Sequence, residues 1–278
     1  MLAMTEQTPI LVLGATGKTG RRIAQRLADR GLPVRHGSRS GTPPFDWDDR
    51  STWATALRGV SKAYISFYPD LAVPGAPEAV GALGELAVGA GVERLVLLSG
   101  RGEEEARRSE EVLRAVHPET TVVRSSWFAQ NFSESFLLDA VREGVVALPV
   151  ADVGEPFVDV DDLADVAVAA LTEDGHAGAT YEVTGPRPLT FAQAAQEIAP
   201  AAGREVRFVR VPADEYAAGL TAAGLPAAEG ELIMYLFGEV LDGRNAHVTD
   251  GVQQALGRPP RDFADYARAA AATGVWDV

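Results

Sequence analysis

Residues 10–20 read ILVLGATGKTG, and this stretch decides the fold. Ile10–Leu13 is a short apolar run bounded by Pro9 and Gly14, as a buried parallel strand requires. Gly14, Gly17 and Gly20 follow at intervals of three. From Gly17 the pattern turns helical: Ile23 and Leu27 are four apart, Ala24 and Ala28 lie beside them, and Gly31 ends the element. A strand, a glycine turn and a helix form the arrangement in which backbone can approach a pyrophosphate. The first glycine permits the tight turn, the second admits the phosphates, and the third lets the helix sit close on the strand. Thr16, Lys18 and Thr19 complete the turn, whose free N–H groups face the phosphates. Gly17-Lys18-Thr19 also looks like the end of a triphosphatase phosphate loop, but that motif needs a glycine where Val12 stands.

Outward from this turn, strand and helix alternate. Pro33–Gly37, Lys62–Phe67, Arg94–Leu98 and Thr120–Val123 read as strands. Trp53–Leu57, Pro77–Gly91 and Glu103–Val116 read as the intervening helices. The acid runs Asp48-Asp49 and Glu103-Glu104-Glu105 read as solvated faces. Asp161–Leu171 is a helix with acids in its first turn, and Asp161 reads as its N-cap. Tyr181–Thr184 and Val206–Val211 are further strands, and Phe191–Ala199 is a helix. Such alternation predicts an α/β fold with a Rossmann-type, doubly wound parallel sheet. The expected organisation is a single domain: a core of about 8–128 plus 154–185, and a smaller C-terminal lobe of about 129–153 plus 186–278.

Composition narrows the function. With 46% hydrophobic and 23% charged residues, the 278-residue chain has the balance of a globular protein rather than a disordered one. Lys and Arg total 25 against 39 Asp and Glu, a net charge of −14, so the bulk field repels nucleic acid and anionic membranes. No cysteine is present, which excludes disulfides, thiolate nucleophiles and cysteine zinc sites. The four histidines are scattered, and no metal site is expected. The start MLAMTEQTPI lacks the basic and apolar regions of a signal peptide, and no apolar run reaches membrane-spanning length. The expectation is a cytoplasmic protein.

The end of the second strand points to one dinucleotide over another. In NAD-binding units an acid about 20 positions beyond the turn holds the ribose 2′-hydroxyl. Here the chain reads Arg35-His36-Gly37-Ser38-Arg39-Ser40, with no acid. A guanidinium between two serines suits the 2′-phosphate of NADPH or NADP. Lys18 approaches the same phosphate from the turn. NADPH is therefore favoured, with NADH still possible.

The same residues belong to a longer pattern. GATGKTG, SRS (Ser38–Ser40), FDWDD (Phe45–Asp49) with Trp53, ERLVLLSG (Glu93–Gly100), SSWFAQNF (Ser125–Phe132), PFVDVDDLADVA (Pro156–Ala167), Tyr181–Gly185 and GRPPRDFADYA follow in order over nearly the whole chain. In these motifs the chain resembles the NmrA-like atypical short-chain dehydrogenases/reductases, most of all their ergot-alkaloid dehydrogenase branch. The resemblance implies an NAD(P)(H)-binding core with a small substrate lobe. It implies that Asp46 and Trp47 lie near the adenine, and that Ser66, Phe67 and Tyr68 line the ribose side. Ser99, Gly100 and Arg101 would leave the strand end toward the cofactor. Trp127, Phe128, Asn131 and Phe132 would wall the nicotinamide and substrate. Read from the residues alone, Trp47 and Trp53 are equally at home in a core, and Phe157 and Val158 read as core strand residues.

One departure stands out. Typical short-chain dehydrogenases carry Tyr-x-x-x-Lys on the helix after the serine-bearing strand, where lysine lowers the tyrosine pKa for proton donation. That helix reads GEEEARRSEEVLR here, without tyrosine or lysine, and Glu110 stands where a cation is expected. Ser99, Tyr68 and Tyr235 remain as candidate catalytic hydroxyls, and Arg101, Asn131, Phe132 and Tyr235 as substrate contacts. Leu232, Ile233, Tyr235, Leu236 and Phe237 form either an apolar cover for a ligand or ordinary helix core. The expected activity is NADPH-dependent hydride transfer to a small hydrophobic, cyclic carbonyl, imine or quinone. The alternative is a non-catalytic NADP(H) sensor, which alone would need a protein partner.

Overall fold

The computed structural model describes residues 8–278, so the N-terminal MLAMTEQ, on which the leader-peptide reading partly rests, lies outside the described residues. The chain divides into two compact units. Among the described residues the first runs to Arg124 and includes Leu163–Tyr181 and Gln254–Gly257; the second is Ser125–Asp162 with Glu182–Gln253 and Arg258–Val278. Of the segment 154–185 expected in the core, 154–162 and 182–185 therefore fall in the second unit.

In chain order the first elements are β1 (Ile10–Leu13), α1 (Lys18–Asp29), β2 (Val34–Gly37), α2 (Trp53–Leu57), β3 (Lys62–Ile65), α3 (Ala76–Gly89), β4 (Arg94–Gly100), α4 (Glu104–Val116) and β5 (Thr121–Ser125). Then come α5 (Asn131–Glu134), α6 (Leu138–Glu143), β6 (Val145–Leu148), α7 (Val160–Thr172), β7 (Thr180–Val183), α8 (Phe191–Ala202) and β8 (Arg207–Arg210). Four helices close the chain: α9 (Ala213–Ala222), α10 (Ala227–Tyr235), α11 (Gly251–Leu256) and α12 (Phe263–Ala272). The α/β fold is built on a six-stranded Rossmann-like parallel sheet in the order β2-β1-β3-β4-β5-β7. The strand order reverses between β1 and β3, which is where open sheets of this type hold their ligands.

Strands β1, β3 and β4 are almost wholly apolar because helices cover both faces of the sheet. On one face Leu11, Leu13, Ile65, Leu95 and Leu97 pack with Leu83 of α3, Leu113 of α4 and Trp53 of α2. Trp53 is fully buried, and its indole N–H donates to the Asp46 carbonyl at 2.7 Å, so its polar edge is satisfied inside the core. Arg26 of α1 donates to Asp165 of α7 at 2.7 Å, and Arg94 of β4 donates to the Ala170 and Glu173 carbonyls. These bonds tie α7 to elements far from it in sequence.

The second unit has its own core. Phe132 is fully buried, with the rings of Phe157, Phe191 and Phe263 around it, and its carbonyl accepts from the Trp276 indole at 2.8 Å. Strands β6 and β8 form a parallel two-stranded sheet, with Val145 opposite Arg207 and Leu148 opposite Arg210. Phe157 and Val158 are core residues. The N-cap role falls to Asp159 rather than Asp161. The Asp159 carboxylate accepts from the Asp161 N–H at 2.8 Å, because Val160 already begins the helix.

Helix α1 is seated on the turn below it. A Cβ at position 20 would lie 2.1 Å from the Gly14 carbonyl oxygen, whereas one at position 89 would meet nothing within 4 Å. Gly20→Ala is therefore expected to lower the unfolding free energy by about 2 kcal/mol in urea titration. Gly89→Ala, at an open helical site, should leave it unchanged or slightly raised.

Candidate cofactor and active site

The loop after β1 is shaped by its glycines. Gly14 has φ +68°, a conformation open to glycine, and its N–H donates to the Gly37 carbonyl at the end of β2. Its α-carbon also lies against Ser66 beyond β3, where an added Cβ would come within 3.3 Å. Three strand ends thus converge at the switch point. Gly17 is the N-cap of α1 and makes no side-chain cap, and the helix has no acid in its first turn. Its first N–H groups and the positive end of its dipole are therefore not neutralised by an acidic or capping side chain, the condition for holding an anion. Thr16 and Gly17 are exposed, Lys18 is half-buried, and Thr19 turns its side chain inward.

Ser38, Arg39 and Ser40 follow β2 directly. Arg39 is exposed, and the two serine hydroxyls are 3.4 Å apart. The FDWDD segment is folded by its own hydrogen bonds. The Asp46 carboxylate accepts from the Asp48 N–H at 3.1 Å, and Asp49 caps the turn at Ser51. Trp47 donates its indole N–H to the Ser66 carbonyl at 3.1 Å and lies 4.7 Å, centroid to centroid, from Phe67. This segment is thereby tied to the end of β3. Tyr68, by contrast, is 64% exposed.

At the end of β4 the Ser99 hydroxyl is already committed. It donates to Glu110 of α4 at 2.6 Å, and Arg124 of β5 holds both oxygens of the same carboxylate, at 2.9 and 2.5 Å. Ser99 and Glu110 are buried. Arg124 supplies the positive charge missing from α4 itself, so Glu110 is a partnered charge in the interior rather than an unexplained one. Sequence reasoning misses Arg124 because the strand read from the sequence ends at Val123, one residue before it, and a lone arginine there carries no motif. Arg101 is also buried, 4% exposed.

The second unit carries the aromatic candidates. Trp127 is half-buried and stacks on Phe237 at 5.3 Å. Phe136 and Tyr216 meet the same ring edge-on at 6.1 and 5.8 Å. The Trp127 N–H donates to Glu155, a carboxylate only 2% exposed. Phe128 and Asn131 are half-buried, and Tyr235 ends α10, a helix with no buried residue. The resemblance places Phe132 against substrate, but its ring is enclosed by core aromatics and has no free surface. Phe237 joins the core, whereas Leu232, Ile233, Tyr235 and Leu236 stay half-exposed. Phe136 and Tyr216 escape a sequence reading, since neither belongs to a motif that marks it as part of a site.

No protein-family profile matches the chain. Whole relatives do. Agroclavine dehydrogenase of Claviceps fusiformis is 33% identical, over 92% of this chain and 95% of the relative. The NAD(P)H azoreductase of Xenophilus azovorans is 30% identical, over 95% of this chain and 98% of the relative. The chain belongs to the NmrA-like atypical short-chain dehydrogenase/reductase family. It is an NAD(P)H-dependent oxidoreductase of that family. The structure of Citrobacter sp. triphenylmethane reductase, solved with NADP(H), superposes with a TM-score of 0.73 at 22% identity, over 93% of this chain and 99% of that one, a likeness of fold. Among the described residues no helix is long and apolar enough to cross a membrane, and no group of three or more His, Asp or Glu is placed to hold a metal ion.

The Ser99–Glu110–Arg124 triad joins the end of β4 to α4 and β5. Its chemistry is that of a buried ion pair. Arg124→Ala leaves a buried carboxylate with only a serine donor and should lower the unfolding free energy by about 3 kcal/mol. Glu110→Gln, which removes the charge but keeps the shape, should lower it less. Urea unfolding of the two variants checks the order.

Proposed function

We propose that this protein is an NADPH-dependent reductase that transfers hydride to a small hydrophobic, cyclic carbonyl, imine or quinone without the usual Tyr-x-x-x-Lys dyad. The observation that carries this reading is the pairing of an uncapped, acid-free α1 N-terminus with the exposed Arg39 at the end of the neighbouring strand. The residues present fit a phosphorylated dinucleotide. Gly14 and Gly20 allow the close backbone turn, which the Gly17 N–H closes on the Gly14 carbonyl at 2.9 Å, and the uncapped, acid-free start of α1 suits the pyrophosphate. Arg39, with Ser38 and Ser40 beside it, suits a 2′-phosphate, and no acid at this strand end repels it. Trp47, Phe67 and the Ser66 backbone form one connected wall beside this turn.

The reduced nicotinamide, when bound, supplies the hydride. What the chain adds is orientation and exclusion of water. Trp127, Phe136 and Tyr216, set around the buried Phe237, keep apolar surface partly exposed, which suits a hydrophobic acceptor. The Ser99 hydroxyl is already bonded to Glu110, and Tyr68 and Tyr235 are the less buried phenols among the candidates. Activated acceptors such as iminium ions and quinones need little acid catalysis, which suits a site with its serine so engaged. The azoreductase relative supports the reduced nicotinamide as the working form of the cofactor.

Titration calorimetry with NADPH, NADP, NADH and NAD tests the reading. Wild type should bind NADPH more tightly than NADH by at least about tenfold, or 1.4 kcal/mol. Arg39→Ala should erase that preference while leaving NADH nearly unchanged; equal loss for both would remove Arg39 from the 2′-phosphate. Gly17→Val, whose Cβ would lie 3.3 Å from the Gly14 carbonyl oxygen in the turn, should abolish binding while a melting curve shows the protein still folded. Failure of all four nucleotides to bind wild type would overturn the reductase.

A further inference from the structure

Two carboxyls outside the triad meet across neighbouring loops of the first unit. Asp70 lies in the loop that follows β3, beyond Ser66, Phe67 and Tyr68. Glu103 lies in the loop that follows β4, beyond Gly100 and Arg101. Strands β3 and β4 are parallel neighbours, so the two loops leave the same edge of the sheet side by side. The Asp70 and Glu103 side chains are hydrogen-bonded to each other, and the Ala72 N–H donates to the Asp70 carboxylate at 2.9 Å. Each residue is half-buried.

The seat of Glu103 is built for this contact. Glu103 occupies the N-cap position of α4 yet makes no capping hydrogen bond with its side chain. Instead its carboxyl folds back over the bare α-carbon of Gly100, where any Cβ would come within 2.2 Å of the carboxyl atoms. The reading of Glu103 as part of a solvated acidic face fails for this reason, although Glu104 beside it is exposed.

A carboxyl–carboxyl hydrogen bond needs a proton, since two ionised carboxylates have no donor between them. Burial first, then the charge of Asp70, raises Glu103 well above the ordinary carboxyl range; burial also raises Asp70. Glu110 on α4 faces Glu103 and pushes in the same direction, with Arg124 on β5 set against Glu110 itself. A carboxyl raised in the folded state stabilises the fold at low pH, and that contribution is lost as pH rises through the raised titration.

We propose that Asp70 and Glu103 share one proton as a clasp between the β3 and β4 loops, and that loss of this proton at alkaline pH parts the two loops. The residues the clasp holds in place are those on either side of it: Ser66 and Phe67 on one loop, Gly100 and Arg101 on the other. Asp70 and Glu103 are thus positioning residues. The consequence for cofactor affinity rests on the reductase reading; the clasp itself does not.

Hydrogen–deuterium exchange on the cofactor-free full chain tests it. The loops 66–74 and 100–104 are compared between wild type and Asp70→Asn at each pH from about 5 to 9, so that intrinsic exchange cancels. In that variant the side-chain amide at position 70 donates to the Glu103 carboxylate, so the hydrogen bond persists without a shared proton. The expected result is a wild-type to D70N exchange ratio in both loops that rises several-fold with pH, and a Glu103→Ala variant that exchanges fast throughout. A ratio that stays flat overturns the clasp. NADPH affinity, again as a wild-type to D70N ratio, should weaken over the same pH range. If wild type binds no NADPH at any pH, the reductase reading falls, while the exchange ratio still decides the clasp.

Discussion

The contact between Gly20 and the Gly14 carbonyl sets the position of everything around the dinucleotide turn. With no side chain between them, α1 lies directly on the end of β1. Its uncapped N-terminus is then aimed over the point where the sheet order reverses. The same turn touches the ends of β2 and β3 through the Gly14 N–H and the Ser66 side chain. Arg39 and Trp47 take their places from those strand ends. A methyl group at position 20 would lift the helix, and with it the anion site.

Electrostatics inside the first unit follow a second constraint. The Tyr-x-x-x-Lys pair of typical short-chain dehydrogenases is absent from α4, and that helix buries a carboxylate instead. Glu110 is tolerated there because Arg124 grips both of its oxygens and Ser99 donates a third bond. The arrangement engages the serine hydroxyl inside the first unit.

The second unit solves a different problem. Its strands are short and its helices many, so stability comes from aromatic packing around Phe132, Phe157, Phe191 and Phe263. Helices α9 and α10 contribute no buried residue, and their apolar side chains stay half-exposed beside Tyr216. Apolar surface left open on one such unit is where a hydrophobic ligand gains most from burial.

The glycine turn, the strand–helix alternation and the basic end of β2 were legible in the sequence because each is a local property. Strands and helices have fixed periods, and a turn that needs a positive φ or a bare α-carbon shows itself as glycine. The sequence by itself therefore determined the fold class and the dinucleotide turn. Strand β6 escaped, although Val145–Leu148 is a valine-rich run between Gly144 and Pro149, because four residues alone do not separate strand from helix. What only the tertiary structure decided was the partner of each polar group turned inward: Arg124 for Glu110, Asp70 for Glu103, Trp276 for the Phe132 carbonyl. Those partners are distant in sequence, and a carboxylate or phenyl ring looks the same in a chain whether it will face water, substrate or core. Burial and charge pairing are properties of the folded neighbourhood, and only its geometry distinguishes them.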